Sequence, residues 1–66
     1  MSEFVQNRVQ ALRAERGFTQ EALAHAVGVS RQTIIAIERG RYTPSVLLAL
    51  KLADFFKLPV EKVFYI

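Results

Sequence analysis

Two hydroxyl side chains that suit helix N-caps, Thr19 and Ser30, stand about three helical turns apart with Gly28 between them. That spacing leaves room for one short helix, a tight turn and the start of a second helix. Phe18, just before the first cap, is placed to pack on Leu23 as a hydrophobic staple, and Val29 to pack on Ile34 in the same way. Gly28 suits the left-handed C-cap that ends the first of the two helices. Counting from Gln20, small or apolar residues fall at Leu23, Ala24, Val27, Gly28, Val29, Ile34 and Ile37, where two sharply crossing helices bury their contact faces. Ala24 permits close approach. The remaining positions of the second helix, Arg31, Gln32, Ile35 and Ala36, lie on the opposite side and face outward.

The rest of the chain reads as helix on both sides of this unit. Val5, Val9 and Leu12 form an apolar stripe that predicts a helix from about Val5 to Arg16, stopped by Gly17. The helix that Ser30 caps runs to Gly40. After a loop from Arg41 to Pro44, a helix covers Ser45 to Phe56, with Val46, Ala49, Ala53 and Phe56 as its stripe and Leu50 and Leu52 alongside. Pro59 suits the first position of a short fifth helix ending near Phe64. The expected architecture is all-α, a five-helix bundle, with a short two-stranded pairing of the Ser2–Phe4 segment with the Phe64–Ile66 tail, and Phe4 as a partner for that tail. Residues 1–66 are expected to form a single domain. A domain this small buries only about 60% of the surface its unfolded chain exposes. With no cysteine it has neither disulfides nor thiolate metal ligands, so helix packing or self-association must supply the stability.

Nine Lys and Arg against six acids give a net charge of +3, modest support for a polyanionic partner. Their distribution says more: Arg31, Arg39 and Arg41 crowd one short stretch beside the outward face. Two capped helices joined by a glycine turn, with a basic outer face, are the local grammar of a helix-turn-helix. The run Thr19-Gln20-Glu21-Ala22-Leu23-Ala24, then Val29-Ser30-Arg31-Gln32-Thr33-Ile34 and Ile37-Glu38-Arg39-Gly40, resembles the Xre family of phage Cro/CI-repressor-like regulators. The likeness extends through Thr43-Pro44-Ser45, Leu50-Lys51-Leu52-Ala53 and Val60-Glu61-Lys62-Val63-Phe64, and so covers nearly the whole chain.

The resemblance implies a lambda-repressor-like bundle whose third helix enters the major groove of double-stranded DNA, with the motif at about 20–39. Arg31 then pairs with guanine and Gln32 with adenine, each bidentately, while Ile35 and Ala36 offer an apolar surface to thymine methyl groups. Gln20 matches the family's phosphate-contacting glutamine. Ser30, Thr33, Arg39, Arg41, Tyr42 and Thr43 are further candidates for phosphate contact, which positions without reading sequence. One recognition helix reads only a few base pairs, so a homodimer on a palindromic operator is expected, with half-sites about 34 Å apart. Leu47, Phe55, Phe64, Tyr65 and Ile66 are the candidate interface, most of it in the 59–66 segment.

Simpler readings stand beside these. Ile35 is otherwise an exposed isoleucine, Leu47 a lone exposed leucine, and Ser30 first of all a cap. Glu38 is expected to pair with Arg31 or Arg41. Arg8, Arg13 and Arg16 read as a solvated face of the first helix. His25 has no second ligand or nucleophile beside it in the pattern. There is no His pair, phosphate loop or paired carboxylate to suggest an enzyme, and no cofactor, metal or small-molecule ligand is expected. No apolar run approaches the roughly 20 residues of a membrane span and no secretory signal pattern opens the chain, so a cytoplasmic, nucleoid-associated location is expected. The resulting function is a transcription regulator, a repressor acting by occlusion. The alternatives are an antitoxin that also binds a toxin, through Leu47 and Phe55, or a restriction-modification controller. A pure protein-interaction module is disfavoured, since folding requires no polar residues at Gln20, Arg31, Gln32 and Arg39.

Overall fold

A computed structural model describes residues 4–66. Among them are four α-helices: α1 (Val9–Glu15), α2 (Gln20–Val27), α3 (Arg31–Glu38) and α4 (Val46–Phe56). Strands β1 (Gln6–Asn7) and β2 (Phe64–Tyr65) pair antiparallel, Gln6 opposite Tyr65 and Asn7 opposite Phe64. Val9, Leu23, Ile34, Ile37, Leu52, Phe56 and Val63 are fully buried, so every helix contributes to one core.

The two caps read from sequence, Thr19 and Ser30, are in place, and Ser45, expected as the first residue of its helix, is a third. Thr19, Ser30 and Ser45 each accept a hydrogen bond from the backbone N–H three residues on, Ala22, Thr33 and Leu48, at 3.0–3.2 Å. Gly28 closes α2 with φ of 76°, and the N–H of Val29 reaches the Ala24 carbonyl at 3.0 Å. A Cβ at Gly28 would meet nothing within 4 Å. Gly28→Ala is therefore expected to cost only the left-handed backbone, about 1 kcal/mol, read as a lower urea midpoint at unchanged denaturant slope. An unmoved midpoint would mean that the turn relaxes freely.

Three expectations are corrected. The fifth helix is a single 3-10 turn, Val60–Lys62, so five helices become four. Helix α1 starts at Val9, not Val5: Asn7 is held in the sheet, its Oδ1 accepts from the Val9 N–H at 3.1 Å, and the Arg8 N–H donates to the Val63 carbonyl at 2.9 Å. Long-range pairing thus takes the residues that periodicity assigned to helix. The N-terminal strand is correspondingly Gln6–Asn7 rather than Ser2–Phe4; Ser2 and Glu3 lie outside the described residues, and Phe4 precedes the strand, largely exposed.

The inward face of α4 also differs. Leu48, Leu52, Ala53 and Phe56 are buried and Ala49 is half-buried, whereas Val46 and Leu50 are 76% and 51% exposed. Arg16, the C-cap residue of α1, donates to the Phe56 carbonyl, and its guanidinium lies 5.3 Å from that ring's centroid, which ties the end of α1 to the end of α4.

Candidate nucleic-acid interface

The Ser30 cap fixes where α3 begins, and so places Arg31 and Gln32 in its first turn, both exposed. At 100° per residue, Ile34 and Ile37 define the buried side of α3, and Arg31, Gln32, Ile35, Ala36 and Arg39 fall on the other arc. Ile35 and Ala36 are half-buried, so the outward face has an apolar floor with polar groups at its N-terminal end. Arg39 is the C-cap residue of α3 and is exposed.

The loop after α3 is pinned against that helix by the Arg41 N–H, which donates to the Ala36 carbonyl at 2.9 Å. Arg41 and Tyr42 consequently share a shallow groove with Gln32, Thr33 and Ala36, and Thr43 follows, exposed. Gln20, the first residue of α2, shares an open cleft with Arg31, Thr19, Glu21 and Arg13. The hydroxyls of Ser30 and Thr33 bond each other at 3.0 Å. Every residue expected at a base or phosphate thus lies on α2, on α3 or its caps Ser30 and Arg39, or on the loop after α3, and two recesses gather most of them.

The electrostatics depart from expectation at one point. Glu38 pairs neither with Arg31 nor with Arg41 but with Arg13, whose Nε donates to Oε2 at 2.7 Å and Nη2 to Oε1 at 3.3 Å. Arg13 also donates through Nη1 to the Phe18 carbonyl at 2.8 Å. It is therefore no part of a solvated face: its side chain is 15% exposed and that of Glu38 only 3%. The hydrogen bond to Glu38, opposed by burial and helped by the Glu38 charge, raises the Arg13 pKa above its ordinary value. Gln20 Nε2 donates to Glu38 Oε1 at 3.0 Å, which completes the cluster. Among the described residues the other ion pair is Lys57–Asp54, so Arg31, Arg39 and Arg41 carry charge with no carboxylate partner there.

Sequence reasoning missed Arg13, Glu38 and Asn7 as a connected scaffold behind this face. Asn7 Nδ2 donates to the Ile37 carbonyl at 2.9 Å and so ties the sheet to the end of α3. The only local hint was an acid at Glu38 inside an otherwise basic stretch.

Of the residues expected at a dimer contact, Ile66, Leu47 and Tyr65 are exposed. Phe55 is half-buried, edge-on to Phe18 at 5.0 Å and to Phe56 at 5.2 Å, and Phe64 is half-buried against the core. No helix among the described residues is long and apolar enough to cross a membrane, and none of their His, Asp and Glu side chains group in a way that could hold a metal.

A family model described as helix-turn-helix matches residues 9–63. A Bacillus subtilis protein described as the uncharacterized HTH-type transcriptional regulator YgzD is 50% identical over 62 residues, 94% of each chain. The cryptic phage CTXphi transcriptional repressor RstR of Vibrio cholerae is 34% identical over 56 residues, 85% of this chain and 50% of that one. Among solved structures, the restriction-modification controller protein C.AhdI from Aeromonas hydrophila superposes with a TM-score of 0.77 at 33% identity, over 83% of each chain.

Proposed function

The chain belongs to the helix-turn-helix family of DNA-binding transcription regulators, of the Xre-like kind, and from that premise we propose that it is a repressor binding a palindromic operator as a homodimer through the major groove. The observation that carries the reading is the exposed first turn of α3. Arg31 and Gln32 are exposed there, with Arg39 and Arg41 nearby and, among the described residues, no carboxylate paired with any of the three arginines. Arg31 reads guanine and Gln32 adenine, while half-buried Ile35 and Ala36 meet thymine methyl groups. Gln20, Ser30, Thr33, Arg39, Arg41, Tyr42 and Thr43 hold the phosphates, Ser30 and Thr33 as a bonded pair.

Residues 1–66 act as one DNA-binding unit. Its 59–66 segment supplies the dimer contact through Ile66 and Tyr65, with Leu47, Phe55 and Phe64 contributing what remains exposed. Bound to a promoter, the dimer excludes polymerase. The likeness to C.AhdI favours a restriction-modification controller as the second reading, which uses the same face but activates as well as represses.

Selection from a random duplex library tests both the reading and the symmetry. The expected outcome is a two-fold motif with half-sites about 34 Å apart, occupied by two chains per duplex in sedimentation. Enrichment of no motif at low salt would overturn sequence-specific recognition, and a single asymmetric half-site bound by one chain would overturn the dimer.

A further inference from the structure

Glu38 sits behind the outward face, on the last turn of α3, yet it touches the residue assigned above to phosphate. Its carboxylate is nearly sealed from solvent, held by Arg13, and accepts from Gln20 Nε2 at 3.0 Å. An ionised carboxylate is an acceptor only, so the Gln20 amide can meet it only through its NH2 group. That contact fixes the flip of the amide. One N–H is bound to Glu38, the carbonyl oxygen is turned away from the carboxylate, and Gln20 lines an open cleft together with Arg31 and Thr19.

We infer that Glu38 is a positioning residue for DNA binding: it holds Gln20 with an N–H donor, rather than the carbonyl oxygen, directed at a phosphate. The inference rests on the reading that Gln20 meets phosphate. An unheld glutamine turns freely, presents its oxygen to the anion part of the time, and loses side-chain freedom on binding; in this chain that freedom is already lost in the free protein. Arg13 offsets the Glu38 charge, so the carboxylate can stand behind a phosphate site without repelling it.

The test is a cycle of four proteins, the wild type, Gln20→Ala, Glu38→Gln and the double variant, titrated against one fixed duplex at low salt. Gln20→Ala is expected to weaken binding about tenfold where Glu38 is present, as befits a hydrogen bond to a charged group, and less than about twofold beside Glu38→Gln. If Glu38 merely staples α1 to α3, Glu38→Gln changes overall affinity while the Gln20→Ala ratio stays the same, and the inference falls. If Gln20→Ala costs nothing in the wild type, the phosphate reading itself has failed and the inference goes with it. Should Glu38→Gln not fold, the Gln20 side-chain amide protons of the wild type answer by NMR. One proton protected in the free protein, with the other shifting on duplex addition, supports positioning; equal solvent exchange of the two overturns it.

Discussion

Replacing Arg31 and Gln32 together by alanine is expected to abolish recognition of the selected operator while leaving general DNA binding largely intact. Both side chains are exposed in the first turn of α3, so their removal neither opens the core nor orphans a buried partner. A bidentate pair with a base is worth about 1–3 kcal/mol. Losing two such pairs therefore lowers specific affinity by roughly 30-fold to 10⁴-fold for each half-site, at about 1.4 kcal/mol per decade. Only one charge is removed, so the dependence of non-specific binding on salt should flatten by about one counterion per half-site. Fluorescence anisotropy on the operator and on a scrambled duplex, at several salt concentrations, separates the two effects. If affinity for both duplexes falls by the same factor, Arg31 and Gln32 act on the backbone and the base-reading assignment is lost.

Glu38→Ala is expected to bring the domain close to unfolding. The Glu38 carboxylate is the shared acceptor of Arg13 and Gln20, and its loss leaves the Arg13 guanidinium, 15% exposed, without its counter-charge. Removing one partner of a buried pair costs about 3–5 kcal/mol, against a total of roughly 3–10 kcal/mol for a domain of this length. The companion double substitution, Arg13→Met with Glu38→Leu, should recover most of that loss, because the penalty comes from the orphaned charge more than from the missing attraction. Urea midpoints decide the matter: a single variant as stable as the wild type, or a double variant no better than the single, would contradict it. Arg13 itself brings no pH dependence in the ordinary range. Its pKa is raised in the folded state, so its contribution is fully present below the unfolded value and fades only at alkaline pH above it.

The helix-turn-helix segment was legible because its determinants are local. Thr19 and Ser30 each accept from a backbone N–H three residues away, and Gly28, lacking a Cβ, takes the left-handed turn without the backbone cost other residues carry there. Such contacts are written in short stretches of sequence, and so the bounds of α2 and α3 and the outward placement of Arg31 and Gln32 follow from composition and spacing. Helix α4 was half legible. Apolar residues surround its first turns, so more than one stripe satisfies the helical period; Lys51, Asp54 and Lys57 mark the solvent side and could have selected Leu48, Leu52 and Phe56 as the inner one.

The remainder depended on partners far along the chain. Gln6 meets Tyr65, Asn7 reaches Ile37, and Arg13 reaches Glu38, so a start of helix became a strand and a solvated arginine became half of a buried ion pair. By itself the sequence determined the caps at Thr19 and Ser30, the turn and the outward face of α3, since each is settled within one or two turns of backbone. Only the tertiary structure decided where α1 begins, that Val60–Lys62 makes a single 3-10 turn, and which acid stands behind Gln20. Those outcomes depend on which distant donor reaches which acceptor once the core has closed.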